Sequence, residues 1–353
     1  MQNESQLIKA RKEKLQKLIE MGINPYPAKA KRTHLIGDIL AEPEKFIKEE
    51  INVEIVGRIR SLRKMGKVSF FHIEDKSGKI QIYIRKDDVG EKNYTIFKQC
   101  DLGDFVNVSG KVFRTQTGEL SIHAHKFIFL TKTIRPLPVV KEKEDEGKKV
   151  IYDQFVDKEL RYRKRYLDLL LNPEVKKTFI TRSKIIIMMR KFLDKKDFIE
   201  VETPILQPLY GGAEAQPFIT KHNKLDMDLY LRIADELYLK RLIIGGFEKV
   251  YEVCKDFRNE GMDRMHNPEF TMIELYQAYA DYNDIMNLVE DMLTEVAVEI
   301  CGGYKFEYDG NKIDLTKPWE RASIISLINE YADIEIEKLS LEEMVDFCKQ
   351  HEI

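Results

Sequence analysis

Residues 250–281 read VYEVCKDFRNEGMDRMHNPEFTMIELYQAYAD. The stretch opens as a strand, passes through a charged loop at 259–268, and resumes as a second strand. An antiparallel hairpin of this kind sets Arg258 close to Glu269, Thr271 or Glu274 on the facing strand. An arginine there offers a planar fork suited to phosphate or carboxylate. Phe270 offers a ring face to a base, and Glu260 an acceptor for an exocyclic amine. Glu274 and Tyr276 alternate with apolar neighbours, so both can face one pocket. On residue types alone the pattern also fits a plain salt-bridged amphipathic hairpin.

Across the second half of the chain, helical periodicity covers 157–171, 173–195 and 233–244, with strands at 200–203 and, in the hairpin itself, at 249–256 and 269–276. Helix and antiparallel strand mix without a βαβ period, so the class is α+β and not a doubly wound sheet. Residues 139–149, VVKEKEDEGKK, are densely charged and lack apolar periodicity; they read as a solvated linker. Before them the texture is β-rich, with strands expected at 53–60, 69–75, 79–84, 104–112, 119–124 and 126–130 and a helical segment near 94–100. That pattern fits a five-stranded OB-fold barrel, with an SH3-like barrel or a sandwich fragment as alternatives. Residues 4–21 read as an amphipathic helix whose basic positions, among them Lys9, Arg11 and Lys14, suit either a solvated surface or phosphate contacts. The expected domains are therefore 1–34, a basic helix and extension; 35–138, the barrel; 139–152, the linker; and 153–353, the α+β domain.

The chain has 353 residues, about two domains' worth, with 58 Lys plus Arg against 60 Asp plus Glu. A net charge of -2 excludes nucleic-acid or membrane binding through bulk charge, while leaving a local basic surface open. No stretch approaches the roughly 18 apolar residues of a membrane span, and no apolar secretory core follows the N-terminus. Cys100, Cys254, Cys301 and Cys348 form no CxxC pair and read as free thiols in a reducing cytoplasm. No P-loop, GxGxxG, HExxH or GxSxG signature occurs.

FRNEG, HNPEFT and ELY in the hairpin resemble motif 2 of the class II aminoacyl-tRNA synthetases in their lysyl-type wording. FLDKKDFIEVETPIL (192–206), ending near Pro204, resembles motif 1, which builds the dimer interface in that family. GGAEAQPFIT (211–220) and LYLRIADELYLKRLIIGGFEKVYEV (229–253) are also similar to the lysyl type. The resemblance covers nearly the whole chain and keeps the motifs in order. It implies an N-terminal OB-fold anticodon-binding domain followed by a class II antiparallel-sheet catalytic domain, ATP and Mg2+ as cofactors, L-lysine and tRNA(Lys) as partners, and a homodimer in the cytoplasm.

Position by position, the resemblance implies that Arg258 is catalytic, bridging the α-phosphate and the substrate carboxylate. Arg258, Asn259, Glu260, His266, Asn267 and Phe270 would bind ATP, with Phe270 stacking on adenine. Gly212, Glu236, Arg258, Glu274 and Tyr276 would receive lysine, Glu236 facing its α-ammonium and Tyr276 its ε-ammonium. In the barrel, Phe70, Gln81 and Glu119 would read the anticodon, Phe70 stacking on its central uracil, with Arg63 a further contact. Because Phe70 and Phe71 are adjacent on a strand, one of them should be exposed.

The family's motif 3, a GxGxGxxR segment, is not found, and the acidic pair holding magnesium belongs to the same region. The expectation is thus a catalytic domain that is C-terminally incomplete, in a chain recording part of a longer protein with the magnesium ligands beyond residue 353, the alternative being a natural truncate. The rival readings are a non-catalytic synthetase-like protein that keeps tRNA or lysine binding, and a relative that attaches lysine to protein, against which the barrel counts.

Overall fold

The computed structural model describes residues 5–138, 141–145, 148–152 and 155–351. The chain divides into two compact units, Met1–Asn172 and Pro173–Ile353.

The first unit opens with helices α1 (Gln6–Glu20), α2 (Ile36–Ala41) and α3 (Pro43–Lys48), followed by a closed barrel. Its strands are β1 (Asn52–Met65), β2 (Val68–Glu74), β3 (Lys79–Arg85), β4 (Phe105–Arg114) and β5 (Leu120–Thr131), in the order β1-β2-β3-β5-β4. Helices α4 (Lys86–Val89) and α5 (Glu91–Lys98) lie between β3 and β4. The long β1 pairs with β4 through its first half and with β2 through its second, and the parallel β3–β5 pair completes the circle. Alternate residues point inward, giving Val53, Ile55 and Ile59, then Phe71 and Ile73, then Ile80, Ile82 and Ile84.

The two strands expected at 119–124 and 126–130 are one strand. The register steps from Gly110↔Ala124 to Ser109↔Lys126, leaving His125 as a bulge; a polar pair that breaks the alternation looks like a gap in the sequence. Gly110 sits at this bulge, where a Cβ would fall 2.1 Å from the His123 carbonyl oxygen, so only glycine fits.

Arg11 and Lys14 of α1 are half-buried and already engaged within the unit. Arg11 donates to the Thr133 and Leu102 carbonyls at 2.8 and 3.1 Å, and Lys14 pairs with Asp101 at 2.5 Å. These bonds, with fully buried Leu18, dock the helix on the barrel. The segment expected as a featureless linker contains an antiparallel hairpin of β6 (Lys141–Asp145) and β7 (Lys148–Tyr152). Val150, Ile151 and Tyr152 are strand formers that its charge density hides. Residues 139, 140 and 146–147 of that segment lie outside the described residues. The helix expected over 157–171 is two, α6 (Lys158–Arg163) and α7 (Arg165–Leu171), because Lys164 leaves helical geometry at φ -121°, ψ 50°.

In the second unit, α8 (Pro173–Lys195) leads to the short strands β8 (Ile199–Glu200), β9 (Leu206–Gln207), β10 (Ile219–His222) and β11 (Met227–Leu231), then α9 (Glu236–Ile244). The hairpin of β12 (Lys249–Phe257) and β13 (Glu269–Gln277) follows, then α10 (Tyr282–Cys301), the hairpin of β14 (Lys305–Tyr308) and β15 (Asn311–Asp314), and helices α11 (Ile324–Ala332) and α12 (Leu341–Gln350). β12 is central in the sheet β13-β12-β8, parallel to β8; β10-β11-β9 form a second sheet. The strand expected at 200–203 stops early because Glu252 intervenes. Its carboxylate accepts from both the Thr203 backbone N–H and the Thr203 hydroxyl, at 3.2 and 2.7 Å. Tyr251 on one face of β12 joins Phe192 and Leu193 of α8, Phe198, and Leu288 and Met292 of α10 in the core. Strand alternation then turns Glu252, Cys254 and Asp256 to the opposite face.

Candidate functional site

That opposite face carries the polar groups. Register sets Val250 across from Tyr276, Glu252 from Glu274, Cys254 from Met272 and Asp256 from Phe270, and directly opposed residues share a face. Arg258 follows one step beyond the last pair, and its N–H donates to the Pro268 carbonyl at 2.9 Å. Among the described residues its side chain makes no hydrogen bond or ion pair with Glu269 or Thr271, which are held by Lys255 at 3.4 Å and Arg182 at 2.8 Å. The guanidinium carbon instead stands 5.2 Å from the Phe270 ring centroid, and Nε reaches the Ile233 carbonyl at 3.5 Å.

The loop after Arg258 is hooked onto the segment that carries Gly212. Asn259 N–H donates to the Gln216 carbonyl at 2.7 Å, and Gln216 N–H donates back to Glu260 Oε1 at 3.2 Å. Farther along, Asp263 accepts from the backbone N–H groups of Met265 and His266 and pairs with the His266 ring at 2.8 Å. Asn259, Glu260, His266 and Asn267 are exposed, while Arg258 and Phe270 are half-buried.

Gly212 has φ +89°, and a Cβ on it would come within 3.0 Å of Glu236 Cβ and 3.2 Å of Ala234 Cβ, so glycine lets this turn close over the start of α9. Glu236 pairs with Lys240 at 2.6 Å, and Lys240 Nζ stands 5.8 Å from the Tyr276 ring centroid. Tyr276 donates its hydroxyl to Glu274 Oε2 at 3.4 Å. Burial, and then the charge of Asp235, push the Glu274 carboxyl up to about 7. Burial also pushes Asp256 up to about 6, with Asp235 adding to it. Gly212, Glu236, Lys240, Tyr276 and Glu274 thus form one chain of contacts rich in carboxylates, and Arg258 and Phe270 lie farther along the same sheet face.

Sequence reasoning missed the layer beneath. Arg232, 2% exposed, pairs with Glu252 at 2.7 Å and Asp256 at 3.3 Å and donates to the Lys255 carbonyl at 3.0 Å. Asp235, Cys254 and Asp256 are buried with a ligand-capable atom of each within 4.8 Å of the others. No motif marks them, since Arg232 sits inside an apolar run where an exposed position would read the same.

The barrel carries a second candidate surface. Arg63, Phe70, Gln81 and Glu119 line one cavity of about 700 Å³ with Tyr83, Phe113 and others. Phe71 is the core member of the adjacent pair, packed on Phe97 with centroids 5.1 Å apart, while half-buried Phe70 stands 5.3 Å from Tyr83. Gln81 Nε2 donates to Glu119 Oε2 at 2.6 Å, His72 Nε2 lies 2.9 Å from Glu119 Oε1, and Ser121 Oγ donates to Gln81 Oε1 at 2.7 Å. A polar row beside an aromatic shelf is the arrangement that reads unstacked bases.

A family model described as OB-fold nucleic acid binding domain matches residues 53–130, and one described as tRNA synthetases class II (D, K and N) matches residues 157–351. The lysine–tRNA ligase of Pelotomaculum thermopropionicum is 52% identical over 332 residues, covering 94% of this chain and 63% of that protein. Those of Carboxydothermus hydrogenoformans and Bacillus subtilis are 50% and 47% identical, covering 94% and 98% of this chain. The chain spans 63%, 65% and 68% of the length of these three relatives. With a five-stranded OB barrel, an α+β second unit, and both matches falling on the regions just described, the chain belongs to the class II tRNA synthetases of the D, K and N group.

Proposed function

We propose that the protein is a lysine–tRNA ligase, which activates L-lysine with ATP to lysyl-adenylate and transfers the lysyl group to the 3′ end of tRNA(Lys). The observation that carries this reading is the single sheet face on which Arg258 and Phe270 lie at one end and Glu274 and Tyr276 at the other. A group of carboxylates beside a cation and a ring suits an amino acid with a second ammonium group placed next to a nucleotide. Arg258 offsets the charge of the lysine carboxylate and the α-phosphate as they approach, and the remaining groups position the reactants. Phe270 stacks on adenine, Glu260 accepts from its amine, and Asn259, His266 and Asn267 meet the nucleotide from the loop. Gly212 and Glu236 receive the α-amino end of lysine, and Glu274 and Tyr276 the ε-ammonium.

Mg2+ prefers an all-oxygen shell. Among the described residues, the buried group of Asp235, Cys254 and Asp256 includes a thiol and does not fit it, so no step is routed through magnesium. Arg63, Phe70, Gln81 and Glu119 read the anticodon. Homodimerisation through the motif 1 region is supported by Ile199 of β8, by Ile205 and by Leu206 of β9, all about half exposed. A cytoplasmic location is supported by the four free cysteines; no helix among the described residues is long and apolar enough to cross a membrane.

Charging assays with labelled lysine, aspartate and asparagine test the reading. Lysine alone should be attached, and changing the central anticodon base should lower the rate. Attachment of aspartate or asparagine would overturn the assignment.

A further inference from the structure

The geometry points to a transition-metal site of the Zn2+ class formed by Asp235, Cys254 and Asp256, between the N-terminus of α9 and the covered face of β12. Cys254 Sγ lies 3.5 Å from Asp235 Oδ2 and 3.7 Å from Asp256 Oδ1. A thiol has one proton, so when both carboxyls are ionised it cannot donate to both, and one of the two contacts sets sulfur against oxygen with no hydrogen between. A tetrahedral ion resolves this. With sulfur at about 2.3 Å and oxygen at about 2.0–2.2 Å from the metal, the sulfur–oxygen edge is about 3.5 Å.

Three further observations lead to the same place. Asp235 and Asp256 are fully buried, yet Asp256 Oδ2 receives no hydrogen bond, and the one side chain that could serve Asp235 Oδ1 is another carboxyl, that of Glu274. Such orphaned acceptors are costly and rare, and a cation would satisfy them. Asp235 occupies the N-cap of α9, where aspartate normally accepts from the first turn, but its side chain makes no cap bond. Finally, the one buried guanidinium nearby, Arg232, is shared between Glu252 and Asp256, and no ion pair to Asp235 occurs among the described residues.

A thiolate with two carboxylates selects borderline ions such as Zn2+ or Co2+ over Mg2+ or Ca2+. On binding, the Cys254 thiol would release its proton to solvent and the sulfur would bond the metal. The ion would tie the first turn of α9 to β12 and so fix Glu236, the residue after Asp235. Nothing in this depends on the amino acid that the protein activates.

Chelator-treated protein titrated with Co2+ tests the site. The expected result is a thiolate-to-cobalt charge-transfer band with tetrahedral d–d bands, saturating at one equivalent and erased by Zn2+. Cys254→Ser should remove the charge-transfer band and weaken Co2+ binding by more than about 100-fold, beyond what loss of an outer-shell contact costs. The double variant Cys301→Ser, Cys348→Ser should keep the spectrum. If Cys254→Ser does not fold, Asp256→Asn should show the same weakening, and Zn2+ should raise the melting temperature of the parent protein. No thiolate band in the folded parent, or a band that follows Cys301 or Cys348, overturns the proposal.

Discussion

The guanidinium carbon of Arg258 lies 5.2 Å from the centroid of the Phe270 ring, although the two residues are twelve positions apart and on different strands. The nine-residue β12–β13 register produces this, because it ends with Arg258 one step past the pair Phe257↔Glu269, beside the ring on the facing strand. A fixed cation is thereby held beside an aromatic face, an arrangement that suits a phosphate and a base.

If Arg258 supplies that charge, Arg258→Ala should slow adenylate formation by about 100- to 1,000-fold, the usual cost of removing one transition-state donor. Single-turnover formation of lysyl-adenylate measures this. A rate within about threefold of the parent would remove the role assigned to Arg258.

Gly212→Ala would press a Cβ against Glu236 in a backbone conformation that costs about 1–2 kcal/mol for other residues. The KM for lysine should rise about tenfold while that for ATP stays level. Equal changes in both constants would mean that the turn supports the whole site and not the lysine end of it.

Phe70 and Phe71 separate surface from core. Phe70→Ala should weaken tRNA binding by about tenfold or more, as loss of a base–aromatic stack does, and leave ATP–pyrophosphate exchange intact. Loss of exchange and tRNA binding together, or no change in tRNA affinity, would contradict the placement of Phe70 on an anticodon face.

Asp75 gives a pH-dependent test of barrel stability. Burial raises its pKa, but bonds from the Ser77 hydroxyl and the backbone N–H groups of Ile36, Ser77 and Gly78 outweigh this and hold the carboxyl below its usual range. With the folded value below the unfolded one, the unfolded state takes up the proton first as pH falls. The stabilisation is therefore present at neutral pH and is lost as pH drops through the carboxylate range. Asp75→Ala should cost about 1–3 kcal/mol at pH 7 in urea unfolding and progressively less on acidification. A cost independent of pH would show that the charge of Asp75 is not what these bonds recognise.

What was legible in the sequence was whatever has a period or a motif. Apolar alternation in β1 to β3, the helical pattern of α8 and the FRNEG–HNPEF hairpin all carry their structure locally. The bulge at His125, the break at Lys164 and the hairpin at β6–β7 were not legible, since each depends on which partner strand or turn is available and not on composition. The deepest omission was the Arg232 layer. A buried arginine and the acids around it are set by contacts between residues as far apart as Thr203, Asp235 and Asp256, and no spacing rule links them. The docking of Arg11 and Lys14 was hidden for the same reason, because a basic residue on a helix reads as surface until a carbonyl or carboxylate is found against it.

The central claim is tested most directly by ATP–pyrophosphate exchange with each amino acid in turn, using the protein read through its full reading frame. The account predicts exchange that depends on lysine and is lost in Arg258→Ala. Exchange driven by aspartate or asparagine, or none with lysine, would contradict it.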